Sequence, residues 1–168
     1  MKHSIVFSSM TGNTAALADR LHTLLPEESC VYFGETSREA LEADAEVIFV
    51  GFWTDKGSCD SKTRVFLKKL NHKTVVLFGT AGFGSDPEYF KEVLKAATAD
   101  VPVSNTVIPG FMCQGKMKPE AKAKFEARLA ANPDDAAAKK MLAEYDAAVC
   151  HPNEDDFKAL EAWSQTFI

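Results

Sequence analysis

Between Ile5 and Leu21 the chain reads IVFSSMTGNTAALADRL: an apolar run, a polar stretch, then residues with helical spacing. The polar stretch is Ser8-Ser9-Met10-Thr11-Gly12-Asn13-Thr14. Ser9, Thr11 and Thr14 carry hydroxyls, Gly12 lets the main chain turn its amides inward, and a helix starting near Asn13 presents its positive end. These groups suit a phosphate monoester held by dipoles and hydrogen bonds, since the loop contains no Lys or Arg. Binding without catalysis is the implication. The loop satisfies neither the Walker pattern G-x-x-x-x-G-K-[ST] nor the dinucleotide fingerprint G-x-G-x-x-G, and it lacks the thiol and following Arg of a cysteine phosphatase. The same residues also suit an ordinary capped helix start.

Two more loops have chemical character. GFWTDKGSCD, Gly51 to Asp60, follows the most apolar run of the chain. There Phe52 leads into Trp53, whose flat ring suits the wall of a planar ligand, and Thr54, Asp55, Lys56 and Gly57 form a polar turn with amides to offer. FGTAGFGSDPEYF, Phe78 to Phe90, has three glycines. In it, Thr80, Ala81, Gly82, Phe83 and Gly84 allow close main-chain approach to a ligand, Phe83 or Tyr89 is a candidate second wall, and Ser85 or Asp86 can cap the next helix. None of His3, His22, His72 and His151 falls in these loops, and no nucleophile-base pair is visible. Cys30, Cys59, Cys113 and Cys150 have neither C-x-x-C spacing nor a nearby His at ligand spacing, which points to buried or idle thiols.

The elements that must position these loops are legible as a rhythm. HSIVFSS, SCVYF, AEVIFVGF, KTVVLFGTA and VSNTVIPGF read as five strands, the third and fourth apolar enough to be buried on both faces. Between them lie helical stretches at Asn13 to Leu25, Ser37 to Ala43, Ser61 to Leu70 and Pro87 to Ala97. After Phe111 three helices are expected, with breaks at Asn132-Pro133-Asp134-Asp135 and Pro152-Asn153. The last, marked by Phe157, Leu160 and Trp163, closes the sheet, and residues 119–149 read as an inserted helical hairpin. At 168 residues, 46% of them hydrophobic, one α/β domain spanning 1–168 is expected. In an open α/β sheet ligands bind beyond the strands' carboxyl ends, where the strand order reverses, so the loops after strands one, three and four belong to one site.

Charge narrows the partners. Nineteen basic against 24 acidic residues leave −5, which argues against nucleic acid or an anionic membrane. The apolar run in MKHSIVFSS is too short for a signal segment, and none later approaches the roughly 18 residues of a span, so a cytoplasmic location is expected.

Ser9-Met10-Thr11-Gly12-Asn13-Thr14 resembles the T/S-x-T-G-N-T phosphate loop of the flavodoxin family. The resemblance covers Met1 to Phe111 and the last helix. It implies a three-layer flavodoxin-like sandwich, a five-stranded parallel sheet in the order 2-1-3-4-5, and noncovalent FMN. Carried over by position, Ser9 to Thr14 hold the phosphate, Trp53 to Gly57 flank the isoalloxazine, and Thr80 to Gly84 line its other side. A backbone group of the Asp55 to Gly57 turn is then expected near the ring's N5, with Lys56 favouring an anionic reduced ring. VGFWTDKG, LFGTAGFG and FMCQGKM further resemble flavodoxin-like accessory proteins associated with bilirubin reductase. That likeness implies an electron-transfer protein serving a partner reductase in bilirubin reduction to urobilinogen. Two other readings share the fold: an FMN-dependent NAD(P)H oxidoreductase with its own substrate, and a receiver-like signalling domain using Asp55. The second is weakened by hydroxyls where magnesium-binding carboxylates are needed.

Overall fold

The computed structural model describes residues 1–84 and 86–167. In chain order the elements are β1 (His3–Phe7), α1 (Asn13–Leu24), β2 (Cys30–Glu35), α2 (Arg38–Glu42), β3 (Val47–Asp55) and β4 (Ser58–Cys59). α3 (Ser61–Leu67), β5 (Thr74–Ala81), α4 (Pro87–Thr98), β6 (Thr106–Gln114), α5 (Pro119–Ala131), α6 (Ala136–Ala148) and α7 (Glu154–Ser164) follow.

Strand alternation decides the layers. Successive side chains of a strand leave on opposite faces, and here both faces are apolar. Val6, Ile48, Val50, Phe52, Val75 and Leu77 enter one buried cluster, whereas Ile5, Phe49, Val76 and Phe78 enter the other. A sheet of this kind must be covered twice. α1 brings Leu17, Ala18 and Leu21 to the second cluster at helical spacing, and α7 adds Leu160. The first cluster is closed by Ala40 of α2, Phe66 and Leu67 of α3, and Val93 and Ala97 of α4. The result is the three-layer α/β sandwich expected from sequence.

Five parallel strands lie in the order β2-β1-β3-β5-β6, which is the expected 2-1-3-4-5 once a short extra strand is numbered. That extra strand, β4, pairs antiparallel with the end of β3 through Thr54 and Asp55. At the other extreme, β2 alternates between half-buried and exposed positions, as an edge strand should.

The strand boundaries differ from expectation where local chemistry wins. Val103, Ser104 and Asn105 precede β6 as a turn closed by the Asn105 N–H on the Pro102 carbonyl, and Val103 is exposed. Asn105 explains this, because its side chain also accepts from Lys73 N and donates to the carbonyls of Leu70 and Pro102. β6 instead runs on to Gln114, pairing with Ala81. Ser29 belongs to a short 3₁₀ turn rather than to β2.

Helix starts follow side-chain caps. Ser37, Asp60, Asp86, Asp135 and Asn153 cap α2, α3, α4, α6 and α7 respectively. Ser85, the other candidate cap for α4, lies outside the described residues. Between β6 and α7 stands the α5–α6 hairpin, with no buried residue on α5. Its two ends meet, since Lys116 N–H donates to the His151 carbonyl at 3.0 Å.

Candidate functional site

β1, β3 and β5 are adjacent and parallel, so their carboxyl ends bring the three loops together. Thr14 is the knot. Its hydroxyl lies 3.1 Å from the Phe52 carbonyl and 3.0 Å from the Thr80 hydroxyl, joining all three loops in a fully buried contact. Sequence reasoning assigned this hydroxyl to a ligand; the fold turns it inward instead, because two strand ends in need of a partner lie beneath it. The Thr14 amide is still at the helix mouth.

The mouth of α1 has the chemistry that suits an anion. Gly12 takes the left-handed conformation at φ 87°, and among the described residues no atom beyond its chain neighbours and its own helix backbone lies within 4 Å of where a side chain would project. The helix has no side-chain cap at Gly12 and no acidic residue in its first turn. Gly12, Asn13 and Thr14 therefore present amides with no intrahelical acceptor. Ser9 Oγ accepts from Ala15 N at 3.2 Å, which leaves its own proton to donate. Thr11 Oγ1 stands 3.5 Å from the Lys116 carbonyl, and Asn13 Nδ2 donates to that carbonyl at 2.8 Å. Met10 is exposed beside them.

In the second loop the main chain turns back through Lys56 and Gly57, both with positive φ (50° and 78°). Two such residues between Asp55 and its partner Ser58 make a two-residue hairpin with the twist of a type I′ turn. Trp53 is half-buried, in register with Thr80 on the α1 side of the sheet. Thr54 Oγ1 donates to the Thr80 carbonyl at 2.9 Å, fixing this loop to the third. Phe52 is a correction: its ring is wholly buried, packs beneath Gly79 and belongs to the core, so only its carbonyl serves the site.

The third loop is held from its far side. The Ala81 carbonyl accepts from Gly115 N at 2.9 Å and the Gly82 carbonyl from Gln114 Nε2 at 3.1 Å. Thr80 and Ala81 are buried, and Phe83 is half-buried. Part of what this loop offers is taken up by the protein itself. A side chain at Gly82 would strike Met117, so that close approach is made by the protein itself. The Gly84 amide, expected to face a ligand, donates to Glu144 Oε2 on α6 at 3.3 Å, and Gln114 Nε2 reaches the same oxygen at 3.3 Å. Tyr89 packs against the core rather than standing as a wall, and burial pushes its phenol pKa up.

Sequence reasoning missed Gln114, Lys116, Met117 and Glu144. FMCQGKM marked their neighbourhood, but no local pattern says that a helix 60 residues onward will bond Gly84. Beside the α1 mouth, Thr11, Gly12, Asn13, Lys116, His151 and Phe157 line a cleft of about 260 Å³. A wider cleft of about 570 Å³ between α2 and α3 shares no residue with the three loops. Among the described residues no helix is long and apolar enough to cross a membrane.

Comparison with known proteins agrees with this architecture. The flavodoxin domain profile matches residues 4–165. The flavodoxin-like domain-containing protein BilS of Clostridium symbiosum is 40% identical, over 96% of this chain and 93% of that protein. Its namesake in Clostridioides difficile is 28% identical, over 93% and 90%. Among solved structures, a flavodoxin of Streptococcus pneumoniae TIGR4 superposes with a TM-score of 0.58 at 18% identity, covering 98% of this chain and 96% of that one. A short-chain flavodoxin associated with a non-canonical PDU bacterial microcompartment gives 0.52 at 15%, covering 98% and 95%. With the strand order, the hydroxyl-rich loop at the α1 mouth and a profile match over nearly its whole length, the chain belongs to the flavodoxin family.

Proposed function

We propose that this chain binds FMN at the mouth formed by the three loops and acts as an electron-transfer protein for a partner reductase. The observation that carries the reading is the α1 N-terminus, where the Gly12, Asn13 and Thr14 amides have no intrahelical acceptor, no acidic residue stands in the first turn and the space above Gly12 is open. A phosphate there meets the amides of Gly12, Asn13 and Thr14 and the hydroxyls of Ser9 and Thr11. Trp53, Thr54, Asp55, Lys56 and Gly57 supply the ring's flank and polar edge, and Ala81, Gly82 and Phe83 supply the opposite boundary. Bound FMN supplies the redox chemistry. The protein's share is binding, orientation and shielding, consistent with three loops that contain no His and whose only Cys, Cys59, is buried with its thiol pKa pushed up.

Likeness to proteins named BilS, together with VGFWTDKG, LFGTAGFG and FMCQGKM, supports a role beside bilirubin reductase in forming urobilinogen. The test begins with flavin. Titrating FMN with the purified chain should quench flavin fluorescence to saturation, and absence of quenching removes the reading. Stopped-flow mixing of the FMN complex with NADH or NADPH follows. A carrier stays oxidised until an electron-donating protein is added, whereas direct bleaching by nicotinamide assigns the chain as an oxidoreductase in its own right. Bilirubin consumption by the reductase should rise when the FMN-loaded chain and an electron source are supplied together.

A further inference from the structure

On the FMN reading above, we propose that Lys116 supplies the positive charge at the phosphate end of the site and sets the preference for FMN over riboflavin. The phosphate loop contains no cationic side chain of its own. The fold brings one to it across 105 residues of sequence.

Lys116 is anchored at both backbone polar atoms. Its N–H donates to the His151 carbonyl at 3.0 Å, and its carbonyl receives Asn13 Nδ2 at 2.8 Å and Thr11 Oγ1 at 3.5 Å. The preceding residue fixes the approach, because Gly115 donates to the Ala81 carbonyl and lies so near Asn13 that a Cβ would sit 2.6 Å from Nδ2. No side chain fits at position 115, so Lys116 is the first beyond the contact that can reach outward. It is exposed, lines the same cleft as Thr11, Gly12 and Asn13, and has no carboxylate partner among the described residues.

The corner asks for a donor even before a phosphate arrives. Asn13 is 6% exposed, and its Oδ1 is buried with no hydrogen-bond partner. A phosphate adds more acceptor oxygens, and an ammonium with three N–H groups answers both. The other titratable groups of the cleft are Cys150 and His151, and His151 Nδ1 is engaged with Asp156 Oδ2 at 2.6 Å. Charge at the phosphate end discriminates between two ligands that differ only in that phosphate, and it leaves ring contacts untouched.

The test measures FMN and riboflavin affinities of the full chain by fluorescence quenching, at low and raised salt, for the native protein, Lys116→Met and Lys116→Arg. Lys116→Met should weaken FMN binding by about tenfold, the scale of a charge-assisted hydrogen bond. Riboflavin binding should be unchanged, the salt dependence of FMN binding should diminish, and Lys116→Arg should retain most of the affinity. Inorganic phosphate should compete with FMN more weakly in Lys116→Met than in the native chain. Equal losses for both flavins would assign Lys116 to loop structure and overturn the proposal, as would FMN affinity unaltered by Lys116→Met. A native chain that binds neither flavin removes the FMN reading itself, an outcome distinct from a native chain that binds FMN without needing Lys116.

Discussion

Two buried side chains show how one polar atom can decide behaviour. Thr14 satisfies the Phe52 carbonyl and the Thr80 hydroxyl at once, with no exposure to solvent. Thr14→Val keeps the shape but leaves two buried oxygens short of a partner, so stability should fall by about 1–3 kcal/mol in urea unfolding. Because the knot joins all three loops, FMN affinity should fall with it, and a variant of native stability would show that the loops are held by other contacts. His3 acts through pH. It is 5% exposed, meets Phe49 edge-on at 6.1 Å and has no partner for Nε2. Burial lowers its pKa below the ordinary 6.5, so the folded chain takes up this proton less readily than the unfolded one. The stability tied to neutral His3 is therefore full above pH 6.5 and is lost as pH falls through the interval between the unfolded and folded values. The melting temperature should drop as the pH is lowered below 6.5, and less so in His3→Phe; identical profiles for the two proteins would refute this.

At the scale of elements, the Asp55–Ser58 hairpin is the piece the sequence reading placed only as a polar turn. Gly57 at φ 78° has open space around it, so Gly57→Ala should cost about 1–2 kcal/mol from backbone conformation alone. Lys56→Asn, at φ 50°, should be neutral or stabilising, and urea unfolding of the two variants checks the difference in sign. Comparable losses from both would mean that side-chain contacts, not φ, govern the turn. The five long strands were legible because runs of apolar, β-branched and aromatic residues leave an imprint over many positions, as in the nearly unbroken VIFVGF. β4 was not, since two residues carry no period, and Lys56-Gly57 is weaker as a hairpin signal than Asn-Gly. The loop at the α1 mouth was legible as residue types, but the direction of the Thr14 hydroxyl depends on strand ends 38 and 66 residues away. Phe52 and Trp53 are adjacent in sequence, yet strand alternation sends their two rings to opposite faces.

For the whole molecule the α5–α6 hairpin bears on the site through its contact with the third loop. It leaves and re-enters the sandwich at Lys116 and His151, which are hydrogen-bonded to each other, so its removal need not disturb the core. α5 buries no residue, and the hairpin is braced internally by Lys122, which lies over the Tyr145 ring and near Asp146. Yet α6 buries Glu144, and this carboxylate receives both the Gly84 amide and Gln114 Nε2. Through it the hairpin steadies the third loop, one boundary of the proposed flavin site. Replacing residues 119–149 by two glycines should therefore leave a single cooperative unfolding transition while speeding hydrogen exchange at Gly84. FMN affinity should weaken by about three- to tenfold, because a loop no longer held in place must be ordered on binding. Glu144→Ala in the full chain should reproduce the faster exchange and most of the affinity loss, separating the carboxylate's contact from the bulk of the hairpin. Unchanged exchange and affinity in both proteins would leave the hairpin without a part in the site and turn attention to its outer surface.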